Sequence, residues 1–142
     1  MVMKAKEIMR PEFVSVEGST TILDTVKQLV SQRRGFAVVT SNGTPVGIVT
    51  EWDFLEKVIG KGIDASKTPI SELMTSPIVA CDKETPTEEV VELMVKRGIR
   101  RMVVTDGSKV VGTITSRDIL NIFKKYVDEV SSVIARFASA PF

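Results

Sequence analysis

Histidine is absent from the 142 residues, and cysteine occurs once. The first absence removes the commonest general base and the commonest transition-metal ligand. Together they exclude a structural zinc site or a Cys-His nucleophile pair built within one chain. Cys81 has no partner for an internal disulfide, and its place at the end of the apolar stretch PIVAC is that of a packed small hydrophobe. Long apolar runs are also missing: no stretch approaches the roughly 18 residues of a membrane span, and the start, MVMKAKEIM, does not resemble a signal peptide. A cytoplasmic location without a membrane partner is therefore expected. Charge of one sign is not in excess either, with 19 basic against 18 acidic side chains. Bulk attraction to nucleic acid or anionic lipid is not implied. Carboxylate or lysine chemistry stays open in principle, but no clustered motif announces it, and the expectation is that the protein is not an enzyme.

What the chain does contain is a repeat. A shift of 65 positions aligns Ala5–Leu55 with Ile70–Leu120 without a gap. Val38-Val39-Thr40 then falls on Val103-Val104-Thr105, and GIVTEWD (Gly47–Asp53) on GTITSRD (Gly112–Asp118). Many other columns exchange one apolar residue for another, as in a duplicated folding unit. Each unit reads as a short helix, a strand near Phe13–Val16 or Ile78–Cys81, a helix, two β-branched strands about an Asn-Gly or Asp-Gly turn, and a last helix. Thr20 and Thr85 are the expected caps of the middle helices, with Pro86 at the first helical position and Glu88 closing a capping box. Val26, Leu29 and Val30, like Val91, Met94 and Val95, share one helix face, and these helices should stop near Arg34 and Gly98. A unit this small cannot bury its own apolar face well, so the two should pack about a pseudo-two-fold axis in an α+β fold of small three-stranded sheets against helices. Gly60–Pro69 has linker composition. The expected division is 1–67, 68–125 and a C-terminal helical extension at 126–142.

Thr50-x-x-Asp53 and Thr115-x-x-Asp118 admit two readings. One is a helix start, with Thr as cap and Asp three residues on. The other is half of a nucleotide site. Three features favour the second: Asp is shorter than the Glu or Gln usual in a capping box; Gly47 and Gly112 interrupt strands, as a bulge or the close approach of another molecule requires; and a helix start suits phosphate while Asp suits ribose hydroxyls.

The repeated pattern resembles a pair of cystathionine-β-synthase-type (CBS) domains, the tandem called a Bateman module. The resemblance covers about residues 4–124 and rests on GIVTEWD and GTITSRD, with EIM and ELM at the repeat starts and RGFAVV and RRMVV before the turns. It implies binding of an adenosine-containing ligand (AMP, ADP, ATP or S-adenosylmethionine) in one or two clefts between the halves, with no other cofactor. By position, Asp53 and Asp118 would hold ribose hydroxyls and Thr50 and Thr115 a phosphate. Thr50 and Asp53 would face Val79 and the Ile99-Arg100 turn; Thr115 and Asp118 would face Val14 and the Arg33-Arg34 turn. Ile48, Val14 and Val79 would flank a base. Arg100, Arg101 and Arg117 are the better phosphate candidates, because a guanidinium fork matches phosphate oxygens; Arg33, Arg34 and Arg97 also suit helix C-termini. Trp52 stands where Arg117 stands in the second unit, so the two sites should differ if that side chain faces the cleft; packing in a dimer interface is its alternative role.

Beyond Asp118, Ile119, Phe123, Tyr126, Val130, Val133 and Phe137 alternate spacings of four and three, the stripe of a helix that packs on another helix. This tail either folds on its own domain, completes a homodimer, or docks an effector protein. The leading expectation is a regulatory ligand sensor. A ligand-free interaction module acting through the tail is the second reading. Nucleic-acid binding by Arg97, Arg100 and Arg101 ranks below both, because no motif or aromatic platform accompanies them.

Overall fold

The β-branched runs form the expected strands. A computed structural model of the chain describes residues 3–139. In the first repeat β1 (Val14–Glu17) runs parallel to β2 (Phe36–Ser41), which pairs antiparallel with β3 (Thr44–Thr50). The second repeat copies this with β4 (Ala80–Asp82), β5 (Arg101–Asp106) and β6 (Lys109–Thr115). A parallel pair needs a crossover. Here α2 (Ile22–Gln32) and α4 (Thr87–Arg97) supply it. A one-turn helix α1 (Ala5–Ile8) precedes the first sheet and a 3₁₀ turn (Ile70–Glu72) the second. Each sheet leads directly into a helix: α3 (Glu51–Asp53), prolonged as a π-helical stretch over Phe54–Ile59, and the long α5 (Ser116–Ala138). The α+β expectation, two small mixed sheets each packed against helices, is met.

The hairpins turn on the residues that permit it. Asn42 and Gly43 both have positive φ, 52° and 82°, the pattern of a type I′ turn. Gly107, at φ 63°, takes the first central position of the second hairpin. The middle helices begin one residue later than expected. Thr21, not Thr20, caps α2 by accepting from the Asp24 N–H, and Pro86 occupies the cap position of α4 rather than its first turn. Thr85 and Thr87 are used instead to tie down the N-terminal segment: the Ala5 N–H donates to Thr85 O, and the Thr87 N–H and hydroxyl donate to Met3 O. Only part of the expected apolar helix face is inward. Leu29 and Met94 are buried, whereas Val30 and Val95 are 71% and 76% exposed. The inward places next to them go to Thr25 and Val90.

The cores do not follow the order of the sequence. Ala5 and Ile8, at the start of the first repeat, pack with Val90, Met94, Met102 and Ile114 of the second. Ile70 and Leu73, at the start of the second, pack with Ile22, Leu29 and Val49 of the first. The repeats thus exchange their leading segments, and burying each large aliphatic in this way contributes roughly 1.5–3 kcal/mol. A third cluster around Val38, Val103 and Val110 joins the two sheets. The Gly60–Pro69 stretch is not a free tether: Ile63 and Ala65 pack on the first core, and the Leu23 and Ile22 N–H groups donate to Ala65 O and Thr68 O.

Candidate functional site

The exchanged segments reach the ends of β3 and β6, and this builds the clefts. After Ile70–Glu72 the chain crosses β3, where Thr75 N donates to Ile48 O and Ile48 N to Thr75 O. After α1 it crosses β6, where Arg10 and Thr113 exchange the same pair of bonds. Gly47 and Gly112 lie beneath these crossings. A Cβ at Gly47 would sit 2.6 Å from Met74 Sδ and 2.9 Å from Thr75 O; at Gly112, 2.5 Å from Met9 Sδ and 2.9 Å from Arg10 O. The close approach expected of a ligand is therefore made by the protein itself. A bulge accompanies each glycine, between Val39 and Thr40 and between Val104 and Thr105 in register.

Each Thr-x-x-Asp pair does cap a helix, and the short Asp reaches. The Thr50 N–H donates to Asp53 Oδ2 at 2.8 Å, and the Thr115 N–H to Asp118 Oδ2 at 2.9 Å. Asp118 N–H returns a bond to the Thr115 hydroxyl. Both carboxylates are buried, with Asp53 8% and Asp118 6% exposed. Their second oxygens differ. Asp118 Oδ1 is held by Arg10 Nε at 2.6 Å. Asp53 Oδ1 accepts no hydrogen bond among the described residues and faces Lys57 Nζ at 3.7 Å, while that ammonium donates to Leu73 O. Burial works to raise the Asp118 pKa, but the bond from Arg10, the bonds from Thr115 and the Arg10 charge outweigh it and hold the carboxyl below its ordinary value.

Around Asp53 lies a cleft of about 260 Å³ that joins the two halves, lined by Ile48, Thr50, Asp53 and Thr75 on one side and Gly98–Arg101 on the other. It gathers five of the expected ligand residues besides Asp53: Thr50, Ile48, Ile99, Arg100 and Arg101. A neighbouring depression of about 360 Å³ gathers Thr115 and Arg117 with Gly35, Phe36, Glu51, Arg100 and Arg101. Arg101 also lies over the Phe36 ring, 5.3 Å from its centre, a cation–π contact.

Other expected positions lie elsewhere. Val14 is 2% exposed inside the first core and does not wall a cleft; along β1 the side chains alternate, and Val14 and Val16 take the inward face. Val79 is half-buried against the second core, and Thr75 takes its expected place beside Asp53. Arg33 and Arg34 line a separate groove with Val26, Val30 and Phe54, which shares Gly35 and Glu51 with the depression beside Thr115; Arg33 turns the chain at the α2 C-terminus with φ 53°. Trp52 is 67% exposed and does not line the Asp53 cleft. Cys81 is a buried thiol whose pKa is pushed up to about 11 by desolvation and the Asp82 charge, the packed hydrophobe expected. Arg10 and Thr75 are site residues that the sequence motifs do not single out. The signal is present all the same: in the 65-residue alignment Arg10 falls on Thr75, a cation against a neutral side chain.

Comparison with known proteins agrees with this architecture. The model of the CBS domain family matches residues 5–60 and 70–125. An uncharacterized protein of Methanopyrus kandleri is 26% identical over 133 residues, covering 92% of this chain and 68% of that one. Two curated enzymes that also match are spanned over only 23% of their length. The crystal structure of a CBS domain pair in complex with 5′-methylthioadenosine and S-adenosyl-L-methionine superposes with TM-score 0.77 at 26% identity, over 89% of this chain and 99% of that one. A Pyrobaculum aerophilum CBS domain protein complexed with AMP gives TM-score 0.73 at 28% identity, over 82% and 89%. No helix among the described residues is long and apolar enough to cross a membrane. With two matched repeats, two pseudo-symmetric sheets and a Thr-x-x-Asp pair ending each, the chain belongs to the CBS domain family as a tandem pair.

Proposed function

We propose that this chain is a regulatory, non-catalytic module that takes an adenosine-containing ligand, an adenine nucleotide or S-adenosylmethionine, in the Asp53 cleft. The observation that carries the reading is the buried Asp53 carboxylate, with one oxygen committed to the Thr50 N–H and the other free to accept, in a cleft that also holds an apolar pair and two guanidinium groups. Each part has a task. The free oxygen accepts from ribose hydroxyls, bonds strengthened by its charge. Ile48 and Ile99 flank the base. Arg100 and Arg101 neutralise a phosphate or a carboxylate, assisted by the Thr50 hydroxyl. The ligands named for the two superposed CBS structures support the same ligand class.

Because the cleft draws Ile48 to Asp53 from one repeat and Gly98 to Arg101 from the other, ligand favours whichever arrangement of the halves brings them to its own dimensions. Regulation then works by population shift, limited by the difference in ligand affinity between arrangements. The depression beside Thr115 is the weaker site, since Asp118 does not line it and its carboxylate already holds Arg10.

The test is titration calorimetry with AMP, ADP, ATP, S-adenosylmethionine, NAD and GTP on the wild type and Asp53→Asn. The substitution keeps an oxygen for the Thr50 cap and removes the charge. Binding of an adenosyl ligand that Asp53→Asn weakens sharply supports the proposal. Absence of binding by every compound rejects it and leaves both pairs as helix caps.

A further inference from the structure

The second half of α5 has no cover of its own. Ile122 is the last residue of the helix that packs on the body of the protein; from Phe123 to Ser139 every side chain is exposed. Yet the strip is strongly apolar. Tyr126 and Phe137 are 64% and 76% exposed, and Val130 and Val133 lie between them. On a heptad, Phe123, Val130 and Phe137 take one core position, Ile119, Tyr126 and Val133 the other, with Val127 and Ile134 on one flank and Glu129 and Arg136 on the opposite flank.

The charges select both the partner and the direction. In a parallel pairing each flank faces the opposite flank of its neighbour, which sets Glu129 and Arg136 against the Val127 and Ile134 edge. In an antiparallel pairing about a two-fold axis, like flanks meet. The register that stacks Val130 on Val133 of the second copy also stacks Tyr126 on Phe137 of the second copy. That one register places Glu129 opposite Arg136 of the second copy, and Arg136 opposite its Glu129. On the other flank Val127 meets Ile134 of the second copy. Core layers, apolar flank and charged flank close together, with no charge left facing an apolar side chain. An isologous contact demands this self-complementarity.

The outward face also fits a solvated helix pair. It carries Lys124, Lys125, Asp128 and two serines, of mixed sign rather than the basic face of a membrane-surface helix. We infer that residues 123–139 of α5 form an antiparallel two-helix interface with the same segment of a second copy of this chain, in the register that pairs Glu129 with Arg136. This inference is independent of the ligand reading, since it uses no cleft residue.

Sedimentation equilibrium on the full chain tests it, with Glu129→Arg, Arg136→Glu and the double exchange, each checked by circular dichroism for an unchanged fold. Each single reversal creates two like-charge contacts and should weaken self-association about tenfold. The double exchange recreates both pairs and should return it to within about threefold of the wild type. A monomeric wild type overturns the inference, as does an assembly that neither single reversal weakens. A double exchange as weak as the single reversals overturns the register. A wild-type chain that is monomeric alone but captured by another protein through α5 assigns the face to that protein instead.

Discussion

The Asp53 and Asp118 sites descend from one pattern and differ where the pattern is silent. Both have a Thr whose N–H binds the Asp, both Asp side chains are buried, and both lie under a crossing segment from the other repeat. The crossing segment delivers Thr75 to one and Arg10 to the other. At the facing turn, Arg100 and Arg101 correspond in the repeat to Gly35 and Phe36, and the two guanidinium groups stand between the sites, lining both. One duplication has thus given a carboxylate whose second oxygen accepts no hydrogen bond among the described residues and faces Lys57 at 3.7 Å, and another whose second oxygen already holds the Arg10 guanidinium at 2.6 Å. The lesson is that an identical motif fixes the backbone of a site, while its availability is decided by residues far away in the sequence.

The comparison is broken most strongly at the aspartates. Asp53→Asn should weaken the adenosyl ligand about 100-fold, because the oxygen that accepts from the ribose hydroxyls is replaced by an amide NH2, which cannot accept; Asp118→Asn should change it less than about twofold, both read by calorimetry. The glycines under the crossings come next. Gly47→Ala and Gly112→Ala should each destabilise the fold by about 1–3 kcal/mol in denaturant unfolding, since a Cβ meets a backbone carbonyl that cannot withdraw freely. Gly112→Ala should spare ligand binding at Asp53, whereas Gly47→Ala, by displacing Thr75, should not.

Arg10→Ala sharpens the comparison. It should raise ligand stoichiometry from one to two per chain, at a stability loss of about 1 kcal/mol, small because the guanidinium is half exposed. Its pH signature has a definite sign. A carboxyl held below its ordinary value contributes stability that is complete above that value and is lost as pH falls through the lowered one. Arg10→Ala should therefore flatten the acid limb of the stability curve below about pH 4, where Asp118 ordinarily titrates. The smallest effect is expected at Glu84, where bonds from Lys4 and Lys6 lower the pKa from 4.5 to about 2 and tie the N-terminal segment to the second repeat. Stability from this exposed cluster is present above pH 4.5 and fades toward pH 2. Glu84→Gln should remove that component, giving a small loss of the unfolding midpoint at neutral pH that vanishes toward pH 2.

Much of the fold is legible in the sequence because its signals are local. The 65-residue shift, the Asn42-Gly43 turn and the β-branched runs each state a backbone preference that the tertiary structure keeps. The helix starts slip by one residue where the chain bonds to distant segments: Thr85 and Thr87 to Ala5 and Met3 at α4, Thr20 and Ile22 to Ile70 and Thr68 at α2. The site divides in the same way. Thr50 and Asp53 come together because three residues separate them at a strand end, and Ile99 to Arg101 follow because the halves are pseudo-symmetric. Val14 departs from its expected place because apolar character does not distinguish a cleft wall from a core. The role of Gly47 and Gly112 cannot be assigned from sequence, which does not say whose atoms come close. Arg10 escapes notice because its partner, Asp118, is 108 positions away.

The exchange of leading segments has a further consequence for how this chain can be divided. A fragment ending before Ile70 would lack Ile70 and Leu73 from its core, and one beginning there would lack Ala5 and Ile8. Neither piece carries a complete interior, so the smallest autonomous unit is the pair. Two separately produced pieces should behave as complementary fragments, each acquiring cooperative unfolding only when the other is added. A small molecule resting on both sides of the Asp53 cleft would strengthen that reassembly, acting as a clasp between fragments that have no peptide bond between them.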